Sequence, residues 1–115
     1  MFVSHEQTQQ INHLRQEQGI TTKESWRSVY ELADPGMHGV IDLLERYQVH
    51  FPEVGEELQD EQGRVVAELE LAWPIRKVGV AVDKDDAVAA TKLGWKVYSM
   101  RHALSQINEL VNKLR

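Results

Sequence analysis

The stretch Lys77-Val78-Gly79-Val80-Ala81-Val82 constrains the chain most. It is short, β-branched and apolar almost throughout, which predicts a central strand covered on both faces. Asp83-Lys84-Asp85-Asp86 follows, able to cap a helix and to place negative charge at its positive end. An Ala-rich helix over about 85–93 then ends at Gly94, and Trp95-Lys96-Val97-Tyr98-Ser99-Met100 reads as a further strand. A strand, a helix and a strand in this order imply a right-handed parallel crossover.

The flanking segments complete the architecture. Residues 53–59 and 64–73 form a predicted hairpin around Asp60-Glu61-Gln62-Gly63, with Pro74 closing the second arm. Strict alternation in that arm puts Val66, Glu68, Glu70 and Ala72 on one face, and Val65, Ala67, Leu69, Leu71 and Trp73 on the other. A helix over about 37–49 precedes the hairpin, with Val40, Ile41, Leu44 and Tyr47 on one side, and a last helix over about 101–114 aligns Ala103, Ile107, Leu110 and Leu114. Upstream lie a polar segment, 6–18, and a helix over about 22–33 with Thr21 and Glu24 as a capping box and Trp26, Val29, Tyr30 and Ala33 on one stripe. The expected fold is α/β: an αβββαβα unit with a mixed four-stranded sheet over 37–115, preceded by two accessory helices within an N-terminal extension, 1–36, that ends at Pro35-Gly36.

Zero cysteines exclude disulfides, thiolate metal sites and thiol nucleophiles. No apolar run approaches the roughly 18 residues of a membrane span, and MFVSHEQTQQ lacks the basic and apolar regions of a signal peptide, so the chain reads as a cytoplasmic protein without a membrane association. A Gly-x-x-x-x-Gly-Lys loop, a Gly-x-Ser-x-Gly elbow and a His-x-x-x-His pair are all missing, and the five histidines (His5, His13, His38, His50, His102) are scattered.

The net charge of −5 hides a gradient: residues 51–75 hold seven acidic side chains and one arginine, whereas residues 76–115 hold eight basic and four acidic. Glu68 and Glu70 point one way from the hairpin, and Asp83 sits where the central strand ends. Glu70 and Asp83 are therefore the candidate ligands for a hard cation such as magnesium, with Lys77 or Lys84 to steady developing charge. The ordinary alternative is a solvated hairpin face and a helix cap.

Gly63-Arg64-Val65-Val66-Ala67-Glu68-Leu69-Glu70-Leu71-Ala72-Trp73-Pro74, Lys77 to Asp83, and Leu93-Gly94-Trp95-Lys96-Val97 resemble the compact PD-(D/E)XK nuclease-like domains, nearest the group related to very-short-patch-repair endonucleases. The resemblance spans roughly 38–115 and implies a restriction-endonuclease-like core. It sets Glu70 in the place of the family's metal-binding Asp and Asp83 on the Asp of Glu-Val-Asp-Gly. Ala81 then falls where the family has its catalytic Glu, and Lys84 where it has Gly. Alanine cannot ligate a cation, and the segment between the third and fourth strands is shorter than the family's.

The resulting expectation is a non-catalytic binding module without a cofactor, working through protein contacts in a DNA-processing or defence system. Its acidic face, with Glu53, Glu56, Glu57 and Glu68, would meet a basic protein surface or imitate nucleic acid. DNA itself is disfavoured by that charge. The alternative is a metal-dependent DNA endonuclease using Glu70, Asp83 and Lys77 with magnesium. Self-association through residues 6–33 is a further expectation.

Overall fold

The computed structural model describes residues 23–115; the polar segment 6–18 and the Thr21 cap lie outside them, as does most of the region expected to self-associate. All four residues of Val78–Ala81, here β3, are buried. Such a strand needs neighbours on both edges and cover on both faces. Its neighbours are β2 (Val65–Trp73), antiparallel, and β4 (Lys96–Ser99), parallel, while β1 (Glu53–Gln59) pairs antiparallel with the far edge of β2. The sheet order β1-β2-β3-β4 makes a mixed four-stranded sheet, and the fold is α/β as the sequence predicts.

Among the described residues two helices precede the sheet: α1 (Lys23–Leu32) and α2 (His38–Arg46), joined by a 3-10 turn, Pro35–Met37. Helix α3 (Lys84–Lys92) connects β3 to β4, with Asp83 as its cap. The last helix is not continuous. It divides into α4 (Met100–Ser105) and α5 (Ile107–Leu114) at Gln106, whose φ of −115° and ψ of 36° lie outside the helical range. Gln106 is neither Gly nor Pro, so no local breaker announces the division.

The two faces of the sheet carry different cores. Trp26, Val29 and Ala33 of α1 and its C-terminal turn join Val40, Ile41 and Leu44 of α2, and Leu110, Val111 and Leu114 of α5, against Leu71, Trp73, Val78, Val80 and Tyr98. Helix α1 thus shares one core with α2 and the sheet. Tyr30, from the same expected stripe, is instead part-exposed and stacks on His38 with ring centroids 3.5 Å apart. The other face is small-residue packing: Ala72 and Ala81 lie with Leu58, Ala67 and Leu69 around Ala90 of α3. Gly79 makes this approach close, because a Cβ there would lie 2.7 Å from Leu69 Cδ1 and 3.1 Å from the Leu71 carbonyl oxygen.

The strict alternation expected in β2 does not hold. Ala67 and Leu69 pack in the core beside α3, whereas Leu71 and Trp73, of the same parity, pack in the core beside α1 and α2. The faces exchange at Glu70. Strand β1 exchanges with it: Val54 packs against the α1/α2 core and Leu58 lies in the α3 core. Register is unchanged across the exchange, since Val54 pairs with Leu71 and Glu56 with Leu69, leaving Gly55 facing Glu70. Gly55 has φ +71°, a left-handed conformation that glycine enters without steric cost.

Candidate functional site

Glu70 lies at this exchange, and its carboxylate is already engaged. Oε2 accepts the backbone N–H of Asp34 at 2.6 Å, across 36 residues of chain, at the point where α1 gives way to the 3-10 turn. The Asp34 side chain in turn accepts the Gly36 N–H at 2.7 Å and caps that turn. Glu70 therefore fastens the α1–α2 junction to the middle of the sheet.

Asp83 has a different commitment. Its Oδ1 accepts the Asp85 N–H at 2.8 Å, capping α3. Glu68 is exposed, and its own backbone N–H donates to Asp86 Oδ1 at 3.1 Å, which ties β2 to the first turn of α3. Ala81 is 1% exposed within the α3 core. Lys77, exposed in the turn between β2 and β3, has φ +54° and accepts the Lys96 N–H at 2.9 Å through its carbonyl. No group of three or more His, Asp or Glu side chains among the described residues is arranged to hold a metal ion.

What the tertiary structure does assemble is an acidic end. The hairpin tip and the N-terminus of α3 lie at the same end of the sheet, because β3 runs antiparallel to β2 and delivers Asp83 beside the Glu68 segment. Glu57, Asp60, Glu61, Glu68, Asp85 and Asp86 gather there. Arg64, the single basic residue of 51–75, is bound to Asp60 through Nε at 2.9 Å. The Arg64 backbone amide first, then the Gln62 amide and the Arg64 guanidinium, lower the Asp60 carboxyl pKa, and together they outweigh the opposing effect of desolvation. Glu56 is shifted the other way, raised first by burial and then by repulsion from Glu53 across the Gly55 bend. Of the expected surface carboxylates, Glu53 stands apart, pairing with Ala72 toward the opposite end.

That opposite end holds a cleft the sequence did not reveal. His50, Phe51, Trp73, Pro74, Ile75 and Arg76 line a cavity of about 250 Å³ between the α2–β1 connection and the β2–β3 turn. Trp73 Nε1 donates to the His50 carbonyl at 2.8 Å and fixes that connection. His50 Nδ1 is buried and has no hydrogen-bond partner among the described residues. Burial, and then the Arg76 charge, hold the imidazole pKa below its ordinary value. In the sequence Trp73-Pro74 marks only the end of a strand, and an isolated His and Arg 26 positions apart carry no sequence pattern.

The described residues thus define an α/β module with a mixed sheet, one acidic end and one cleft beside basic residues. Compared with known proteins, the chain is 31% identical over 107 residues to the Zorya protein ZorE of Escherichia coli, a match covering 93% of this chain and 28% of ZorE. The chain spans little more than a quarter of that relative's length. No protein-family model matches it, and no solved structure does. No helix among the described residues is long and apolar enough to cross a membrane.

Proposed function

We propose that this chain is a non-catalytic, nuclease-like binding module of a bacterial defence system, and that its acidic end docks a basic protein surface or occupies a partner's nucleic-acid site. The defence setting is supported by the likeness to ZorE. The observation that carries the non-catalytic reading is the Glu70–Asp34 hydrogen bond, which uses the leading candidate metal ligand as a structural fastening. Magnesium binds near-octahedrally through oxygen donors. Here Glu70 and Asp83 each commit one carboxylate oxygen to a backbone amide, and Ala81 contributes no donor, which supports the non-catalytic reading.

Docking is supported by the acidic end, where Arg64 is occupied by Asp60 and Lys84 is the other basic side chain beside six carboxylates. Two measurements test the reading. Magnesium- and manganese-dependent cleavage of plasmid and single-stranded DNA should be indistinguishable between wild type and Glu70→Gln; wild-type cleavage that Glu70→Gln abolishes would sink it. Co-purification from the native host should yield a partner that is lost with Glu57→Lys combined with Glu61→Lys, and that elutes as salt screens the contact.

A further inference from the structure

The basic residues of 76–115 are not spread evenly over the molecule. Arg76 and Lys77 occupy the β2–β3 turn, and Lys96 opens β4 with its N–H on the Lys77 carbonyl. Helix α3 runs back from the acidic end of β3 and finishes at Lys92, four positions before Lys96. All four side chains are exposed, and none is in an ion pair among the described residues. Glu53 is the carboxylate that β1 brings toward this end. Of the four, Arg76 lines the cleft with His50, Phe51, Trp73, Pro74 and Ile75, Lys77 is its chain neighbour, and Lys96 Nζ lies 5.2 Å from the Tyr98 ring centroid; Ile75, also in the lining, is 64% exposed.

Two demands follow for an occupant. At about 250 Å³ the cleft is smaller than the roughly 300–1,000 Å³ that takes a drug-sized molecule, so it suits one ring or one side chain. The walls formed by Phe51, Trp73, Pro74 and Ile75 favour a planar, weakly hydrated group. The cations outside ask for repeated negative charge. An acidic peptide supplies the charge but places small, strongly hydrated carboxylates where the cleft is apolar. A single-stranded nucleic acid supplies a ring and a phosphate in every residue.

We infer that the cleft and the Arg76, Lys77, Lys92 and Lys96 group form a single-stranded nucleic-acid site, one base entering the cleft while flanking phosphates lie on the cations. The site lies at the end of the sheet opposite the acidic docking surface, so the two stand or fall separately.

Fluorescence anisotropy with the full chain and a short labelled oligodeoxythymidine at low salt tests the inference. Binding should weaken as salt rises, and an abasic strand of the same length should bind at least about fivefold more weakly. Arg76→Glu, and independently Lys92→Glu on the exposed end of α3, should weaken binding and lower the salt slope by about one. Glu57→Lys with Glu61→Lys, at the far end, should retain the cleft-dependent discrimination. Equal affinity for the abasic strand, indifference to both charge reversals in folded protein, or tighter binding of a polyglutamate peptide would each overturn it, the last in favour of an acidic protein partner.

Discussion

Glu70 Oε2 and the Asp34 amide, 2.6 Å apart, join the centre of the sheet to the turn between the first two helices. Glu70→Ala leaves that amide without its acceptor and should cost about 1–3 kcal/mol of unfolding free energy. Glu70→Gln keeps an oxygen acceptor and should lose less than half as much. Urea denaturation of both variants beside wild type measures the difference, and equal stability of all three would show that the bond contributes nothing.

Introducing at position 81 the glutamate that the nuclease resemblance would place there should damage the fold before it creates a metal site. Ala81 is 1% exposed beneath Ala90, so Ala81→Glu forces a long carboxylate into small-residue packing. A loss of at least about 2 kcal/mol is expected from overpacking and desolvation together. Thermal unfolding with and without magnesium checks it. Magnesium-dependent recovery of stability would mean that a metal site can be built there.

Gly55 and Gly79 should be intolerant of a methyl group for different reasons. Gly55→Ala has open space but keeps φ +71°, a conformation costing about 1–2 kcal/mol in an L-residue. Gly79→Ala meets Leu69 Cδ1 and the Leu71 carbonyl, and should cost about 1–3 kcal/mol by displacing β3 from β2. Chemical denaturation gives both values, and hydrogen exchange separates them: Gly55→Ala should loosen the hairpin amides, Gly79→Ala those of β3.

The cleft imidazole predicts a pH dependence. Because the folded-state pKa of His50 lies below the ordinary 6.5, the neutral ring favours the native state. Its contribution to stability is present above pH 6.5 and is lost as pH falls through the lowered value, where protonation favours unfolding. His50→Gln should flatten that acid-side decline. Arg76→Gln should raise the His50 pKa only part of the way, since burial is the larger cause, and imidazole proton shifts in NMR titrations report both.

Glu56 should behave in the opposite sense. Burial and Glu53 raise its folded pKa above 4.5, so the native state gains stability as pH falls through the raised value and carries an electrostatic cost above it. Glu56→Gln is expected to be modestly stabilising at pH 7 and neutral or slightly destabilising near pH 3. Thermal midpoints at the two pH values decide it.

The parts legible in the sequence are those governed by neighbouring residues. The continuous apolar run at 78–81, the Asp83 cap and the Gly94 stop announce a strand, a helix and a second strand, and these elements occur within a residue or two of their expected ends. The hairpin at 53–73 was equally plain, because its turn residues and period-two pattern are local. Glu70 and Asp83 stood out as polar side chains in informative positions, but a carboxylate's role depends on which amide or cation it meets. Asp83 finds its partner two residues away, and Glu70 finds one 36 residues away.

The order of elements, the parallel β3–β4 pair and the concentration of acid in the hairpin were therefore determined by the sequence alone. Only the tertiary structure decided that β1 and β2 exchange faces between Gly55 and Glu70, that α1 enters the common core, and that His50 and Arg76 meet at one cleft. Propensity, capping and turn chemistry act over a few residues, whereas these three outcomes depend on which distant surfaces compete to be buried on each face of a twisted sheet.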